Sequence, residues 1–196
     1  MRYDTGHKQK TRERILHVAA REVRTVGPQQ VGVAAVMQEA GLTHGGFYAH
    51  FPSKDALVAA SIGHMFDEAL TLAAKRMRGV TPAAGLAAYL DAYLSTAHCN
   101  ARGRGCPLVA LAADLPRLPE ASREAFAAGQ RRLIQALAAA MEQVGYAEPQ
   151  ALAQSVLAEL AGTVSLARCE TDEQRVNVML ADARRLLKAR LGLEQS

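Results

Sequence analysis

The stretch Val33-Ala34-Ala35-Val36-Met37-Gln38-Glu39-Ala40-Gly41-Leu42-Thr43-His44-Gly45-Gly46-Phe47-Tyr48-Ala49-His50-Phe51 decides the fold. Val33, Val36, Leu42, Phe47 and Phe51 are spaced to pack inward, and Gly41 interrupts the pattern with a residue suited to a left-handed turn. The spacing predicts two short helices, Val33 to Glu39 and Thr43 to about His50, joined by that turn. Thr43 is placed to cap the second helix, and His44, Gly46, Tyr48, Ala49 and His50 are left facing outward.

On the N-terminal side, the spacing predicts a helix from about Thr11 to Val26. Ile15, Leu16, Ala19, Val23 and Val26 share one face, with Arg12, Arg14, Arg21 and Arg24 largely outside it. Gly27-Pro28 ends it, because glycine accepts a left-handed cap and proline cannot continue a helix. On the C-terminal side, Phe51-Pro52 breaks the chain and Ser53 caps a long helix carrying Leu57, Ile62, Met65, Phe66, Leu70 and Met77.

Beyond Gly79 the chain is alanine-rich, and helices are expected over Ala83 to His98, Pro107 to Leu115, Glu120 to Gly145, Pro149 to Cys169 and Asp172 to Leu191. Val, Ile, Thr and aromatic residues never gather into alternating strands. The fold class is therefore all-α with about nine helices. A three-helix helix-turn-helix domain is expected over residues 1–52, and a linker helix with a larger helical bundle over 53–196. The segment Asn100 to Gly105 reads as a loop.

The 196 residues are 49% hydrophobic, enough to bury one sizeable core or two unequal ones. Lys and Arg outnumber Asp and Glu by 8 to 5 over residues 1–57 and by 15 to 14 beyond, so most of the net charge of +4 lies at the N-terminal end. Such an end suits a polyanion, because Lys and Arg set against phosphates release condensed counterions. No uninterrupted apolar run reaches the roughly 18–20 residues that span a bilayer. MRYDTGHKQKTRER lacks the apolar core of a signal peptide. A cytoplasmic protein without a membrane partner is expected. The three cysteines, Cys99, Cys106 and Cys169, form no C-x-x-C pair and cannot all pair within one chain. His98 and these cysteines match no usual metal-ligand spacing, so neither a metal nor a cofactor is expected. There is no nucleophile elbow, phosphate-cradling glycine loop, H-E-x-x-H or paired-carboxylate feature, which argues against an enzyme.

A helix-turn-helix needs one helix to brace the backbone and a second to enter the major groove of DNA, which is wide enough for a single helix. Residues 33–51 supply both parts, although a helical protein-interaction module that does not bind DNA can share the same skeleton. The spelling from Ala40 to Leu57, with Gly41, Thr43, Gly45, Tyr48, His50, Phe51, Ser53 and Lys54, resembles the signature A-G-V-S-x-G-T-L-Y-x-H-F-x-S-K-E-x-L of the TetR family of transcriptional regulators. The resemblance extends back through Thr11, Ile15, Leu16, Ala19, Ala20 and Gly27 without a gap, covering about the first 65 residues. It implies that Thr43, His44 and Gly46 face the groove, that Tyr48 and Lys54 stand where phosphates are held, and that His50 belongs to the same reading surface. The partner implied is double-stranded operator DNA.

The chain departs from the family pattern at Val31-Gly32, which removes a hydroxyl cap. It departs again at Met37, where a small residue is usual and a bulkier one is expected to push the two helices apart, and at Gly46, which makes a glycine pair. Ahead of the first helix, Arg2, Lys8, Lys10 and Arg12 read either as a basic arm for phosphates or the minor groove, or as a solvated tail.

Leu152, Val156, Leu160 and Val164 form one apolar stripe and Val176, Leu180, Ala183 and Leu187 another, with Ala158, Ala161 and Gly162 allowing close approach. Periodicity does not separate an intramolecular core from a dimer surface. The resemblance favours a homodimer through the last two helices, about 149–169 and 172–191, and a small-molecule pocket among the rest. Candidate lining residues are Phe66, Leu70, Tyr89, Tyr93, Met141 and Val164, with a modest apolar pocket expected. Cys106 precedes Pro107 at a helix start, with Arg102 and Arg104 near in sequence, which would lower a thiol pKa. Cys99 is a candidate resolving partner, and some relatives with Gly-Cys here are thiol sensors. The expected function is a ligand-responsive regulator, a repressor released from its operator by a small molecule or by an electrophile acting on Cys106.

Overall fold

A computed structural model describes residues 3–194, with side chains from residue 6 onward. Among them are nine α-helices, three short 3-10 helices and no strand. The helices are α1 (Tyr3–Val26), α2 (Val33–Glu39), α3 (Lys54–Arg76), α4 (Pro82–Tyr93), α5 (Thr96–Asn100), α6 (Pro107–Leu111), α7 (Glu120–Val144), α8 (Pro149–Ala167) and α9 (Glu173–Arg190). The all-α class agrees with the sequence reading. Nine α-helices result because one expected helix is 3-10 and another divides. Helix α6 ends at Leu111 rather than Leu115, and the expected loop over Asn100–Gly105 holds the 3-10 turn Arg102–Arg104. Three larger differences stand out.

First, α1 starts at Tyr3 rather than near Thr11. Gln9 donates to Glu13 one turn on at 2.9 Å, and the Arg12 guanidinium lies 4.6 Å from the centre of the Phe51 ring. Lys8, Lys10 and Arg12 are thus helical and form no free arm; Arg2 lies outside the described residues. Long charged side chains are good helix formers, and a cation over an aromatic face adds an anchor.

Second, the segment His44–Ala49 is a 3-10 helix, with i to i+3 bonds from Gly46 N to Thr43 O (3.1 Å) and from His50 N to Phe47 O (2.9 Å). The glycine pair supplies the reason: each costs about 1 kcal/mol against alanine in an α-helix. Third, the helix expected over 83–98 is divided at Leu94–Ser95. Ser95 Oγ accepts from His98 N at 3.1 Å and so starts α5, and His98 Nδ1 closes on the Tyr93 carbonyl at 2.7 Å.

The expected punctuation holds elsewhere. Gly27 and Gly41 adopt φ of 87° and 66°, and Ser53 Oγ accepts from Ala56 N at 3.1 Å to start α3. By length and composition α3 alone of the described helices would suit a membrane span. Here it is the central helix of the core, packed on α1 and α7 through Leu57, Ile62, Met65 and Phe66. The approach of α7 depends on Gly129, where a Cβ would stand 2.2 Å from the Phe66 ring, and Phe126 meets that ring edge-on at 5.2 Å. One continuous apolar core runs from Val36, Phe47 and Phe51 through α3 into α7 and α8.

The stripes of the last two helices face inward. Val156, Leu160, Val164, Leu180 and Leu187 are buried within the chain, and Leu152, Val176 and Ala183 are half-buried. The outward faces carry Ala158, Gly162 and Leu166 on α8 and Val178 and Leu186 on α9.

Candidate DNA-reading surface and cavity

Between Gly41 and Lys54 the chain presents a small polar surface on a buried aromatic base. Phe47 and Phe51 stack at 5.9 Å beneath it. Tyr48 is 70% exposed, and Thr43, His44 and Ala49 are exposed as well. Thr43 stands at the cap position but its side chain makes no cap hydrogen bond, so its hydroxyl remains open to solvent. Gly46 is half-buried, and a Cβ there would touch only Thr43 Oγ1 at 3.7 Å and the Met37 methyl at 3.8 Å. Met37 and Gly46, two of the departures from the family pattern, therefore lie side by side.

His50 is half-buried, with Nδ1 enclosed and without a hydrogen-bond partner. Burial lowers its pKa, and the nearby charges of Lys8 and Arg12 lower it further. The N-terminal part of α1 therefore brings positive charge to the edge of the reading surface. Lys54 Nζ donates to the Gln29 carbonyl at 2.6 Å, tying the start of α3 to the turn after α1. Its other two N–H bonds are not committed to this contact.

A second feature lies farther along α3. A cavity of about 640 Å³ opens between α1, α3, α4, α7 and the loop before α6, and a neighbouring one of about 620 Å³ shares Leu72, Tyr89, Tyr93, His98 and Arg104 with it. Of the residues expected to line a pocket, Tyr89 and Tyr93 do so and Leu70 does not; the sensor candidate Cys106 stands in the same wall. Phe66 and Met141 do not: both are fully buried in the core, as is Val164. Cys99 is buried away from the cavity, with its carbonyl accepting from Arg168 Nε at 2.9 Å. The wall is mainly apolar, with polar groups set into it. Tyr93 and His98 rings lie 4.5 Å apart, His98 Nε2 accepts from Cys106 N at 3.4 Å, and the buried Tyr93 hydroxyl has no hydrogen-bond partner.

The environment of Cys106 differs from expectation. Its thiol pKa is raised, because burial outweighs the opposing effects of Tyr93, the Leu108 and Val109 backbone N–H groups and the Arg24 charge. The helix start acts as anticipated, but the arginine that reaches the thiol is Arg24, not Arg102 or Arg104. Both of those are exposed. All three cysteines are free.

Arg24 is the residue that sequence periodicity misplaced. It is buried, and its Nε donates to the Gly105 carbonyl at 3.0 Å, Nη2 to the Met65 carbonyl at 3.3 Å and Nη1 to Glu68 Oε2 at 2.8 Å. One guanidinium thus joins α1, α3 and the cavity loop. Burial pushes the Glu68 carboxyl up, but His64 and Arg24 more than offset it and hold its pKa at about 2. The other Glu68 oxygen faces His17 and His64, neither of which the sequence reading singled out. His17 is 51 residues away and leaves no local signal, whereas His64, one turn before Glu68 on α3, was legible as an i,i+4 pair and was passed over.

A helix-turn-helix with an exposed second helix, carried on a larger helical body with a cavity, defines a DNA-binding regulator. The match is specific at both ends of the chain. Residues 15–61 fit the family described as bacterial regulatory proteins, tetR family, and residues 82–181 fit the C-terminal domain of LmrA/YxaF-like transcriptional regulators. The chain belongs to the TetR family of transcriptional regulators, with an LmrA/YxaF-like C-terminal domain, and is not an enzyme. It is 28% identical over 143 residues to the HTH-type transcriptional regulator LmrA of Bacillus subtilis (strain 168), covering 72% of this chain and 76% of that protein. Two solved structures share the fold. A TetR transcriptional regulator from Chloroflexus aurantiacus J-10-FL superposes with a TM-score of 0.79 at 22% identity, over 98% of this chain and 97% of that one. NemR of E. coli in its reduced form gives 0.75 at 23% identity, over 89% and 96%.

Proposed function

We propose that this chain represses transcription from the cytoplasm by binding operator DNA as a homodimer, and that occupancy of the cavity releases it. Thr43, His44 and Gly46 read the groove, Tyr48 and Lys54 hold phosphates, and His50 supports the segment from its half-buried place. The observation that carries this reading is the exposure of Tyr48 and the free Thr43 hydroxyl above the buried Phe47–Phe51 pair, beside the basic end of α1. Lys8 and Arg12 add phosphate contacts from helical positions.

Dimerisation through α8 and α9 uses their outward faces, Ala158, Gly162, Leu166, Val178 and Leu186, rather than the buried stripes. Small residues on α8 permit close approach, and three apolar side chains more than half exposed favour burial. Two readers joined this way match half-sites spaced by a helical turn or a multiple of it.

The effector is a small molecule meeting Tyr89, Tyr93, His98 and Cys106. A thiol-directed electrophile is a second reading, favoured by the position of Cys106 in the cavity wall at the start of α6. Because burial keeps the thiol protonated, reaction there follows entry into the cavity rather than encounter at the surface.

Fluorescence anisotropy with promoter DNA flanking the gene tests the DNA reading. Tyr48→Ala is expected to lower affinity by about tenfold or more while thermal unfolding stays within about 0.5 kcal/mol of the parent, as for other exposed positions. Undiminished binding would refute the assignment of Tyr48. Electrophile treatment of the protein–DNA complex, with Cys106→Ser alongside, separates the two effector readings.

A further inference from the structure

Where α1 crosses α3, three side chains converge at the cavity edge. His17 Nδ1 lies 3.2 Å and His64 Nε2 3.4 Å from the same oxygen of Glu68, and the three atoms are within 4.8 Å of one another. The three also line the 640 Å³ cavity. We propose that His17, His64 and Glu68 form a binding site for a divalent transition-metal ion of the Zn²⁺ class, which bridges α1 to α3 and leaves an open coordination position toward the cavity.

Four features support this assignment. Zinc bonds to imidazole nitrogen and carboxylate oxygen of about 2.0–2.2 Å place neighbouring tetrahedral ligands roughly 3.3–3.5 Å apart. Both edges through Glu68 already have nearly that length, and His17, whose side chain is 63% exposed, can turn to close the third. His64 and Glu68 are one helical turn apart on α3, so the rigid helix presents two of the ligands together. His64 Nε2 is enclosed and has no well-formed hydrogen bond, only a 3.4 Å approach to Glu68 Oε1, so an ion that displaces its proton gains the lone pair as a ligand.

The fourth feature is the setting of the carboxylate. Arg24 takes Glu68 Oε2 at 2.8 Å and fixes the orientation in which Oε1 faces the two imidazoles, the kind of outer contact that commonly orients a metal ligand. The guanidinium charge also sets a limit, since it opposes a nearby dication, so binding is weaker than at a structural zinc site. Two imidazoles and one carboxylate favour ions such as Zn²⁺, Ni²⁺ and Co²⁺ over Mg²⁺ and Ca²⁺, which prefer all-oxygen shells. An ion here would tie the helix that carries the basic edge of the reading surface to the helix that lines the cavity. Its effect on operator affinity rests on the DNA-binding reading above; metal binding itself does not.

Titration of the full-length protein with CoCl₂, followed by visible d–d absorption and then by displacement with ZnCl₂, tests the site. The expected result is saturable binding of one ion per chain, weakened by more than about tenfold in His64→Gln and in His17→Gln. Cys106→Ser and His98→Gln are expected to bind as the parent does. The two His substitutions leave the Arg24–Glu68 pair in place, and circular dichroism checks that they fold. Absence of saturable binding, binding retained in both His variants, or binding lost in Cys106→Ser would each overturn the proposal. Zn²⁺ is also expected to raise the unfolding temperature of the parent and not of the His64 variant, and an equal rise in both would count against the site.

Discussion

The reading segment and the α1–α3 junction both meet α3, yet they are built in different ways. The reader, residues 33–51, is made from neighbours in sequence: a glycine turn, a six-residue 3-10 helix and two stacked phenylalanines, with its polar groups mostly in water. The junction is made from residues remote in sequence, with a buried guanidinium satisfied by a carboxylate and two carbonyls. The first rests on its two buried phenylalanines and leaves its polar groups in contact with solvent. The second is costly to disturb, because an unpaired charge in a buried site has no water to replace its lost contacts.

This contrast is most exposed to failure at Arg24. Arg24→Met is expected to destabilise the protein by about 3–5 kcal/mol, read from the urea midpoint, since it leaves the junction carboxylate and two carbonyls without their donor. Arg21→Met, at an exposed pair with Glu39, should leave the midpoint nearly unchanged. Similar effects for both would remove the distinction. A large loss is also expected at Gly129, where a Cβ would collide with the Phe66 ring. Gly129→Ala should cost about 1–3 kcal/mol, and Phe66→Leu should recover part of that loss in the double variant.

A smaller effect concerns acid. The Glu68 carboxyl is held at about 2 in the folded protein, below the value of about 4.3 expected in the unfolded chain. Its contribution to stability is complete above that unfolded value and is lost as the pH falls toward 2. The difference in urea midpoint between the parent and Glu68→Gln should therefore shrink from pH 5 downward; a constant difference would mean that the carboxylate is not held by its neighbours. The smallest change belongs to the reader. Gly46→Ala has room for its methyl and should stabilise by up to about 1 kcal/mol while weakening operator binding, because the segment loses close backbone approach. Unchanged or tighter binding would show that the glycine pair is not used for that approach.

Much of the reader was legible from the spelling alone, since its turn, its inward phenylalanines and its outward Tyr48 depend on contacts within about 20 residues. The misread details there were the 3-10 geometry and the Thr43 cap, both consequences of the glycine pair. The cavity was only partly legible. Tyr89 and Tyr93 stand in its wall as expected, but Phe66 and Met141 had the same apolar character and are core. Apolar periodicity marks which face of a helix is inward without saying whether packing or open space lies opposite.

The sequence by itself determined the all-α class, the helix-turn-helix and the family, because these follow from local periodicity, caps and an ungapped motif. The tertiary structure alone decided that Arg24 is buried, that the Cys106 thiol is raised rather than lowered, and that His17 meets His64 and Glu68. Each outcome depends on which distant groups share a low-dielectric space, and burial and Coulomb interaction act through distance in space rather than along the chain.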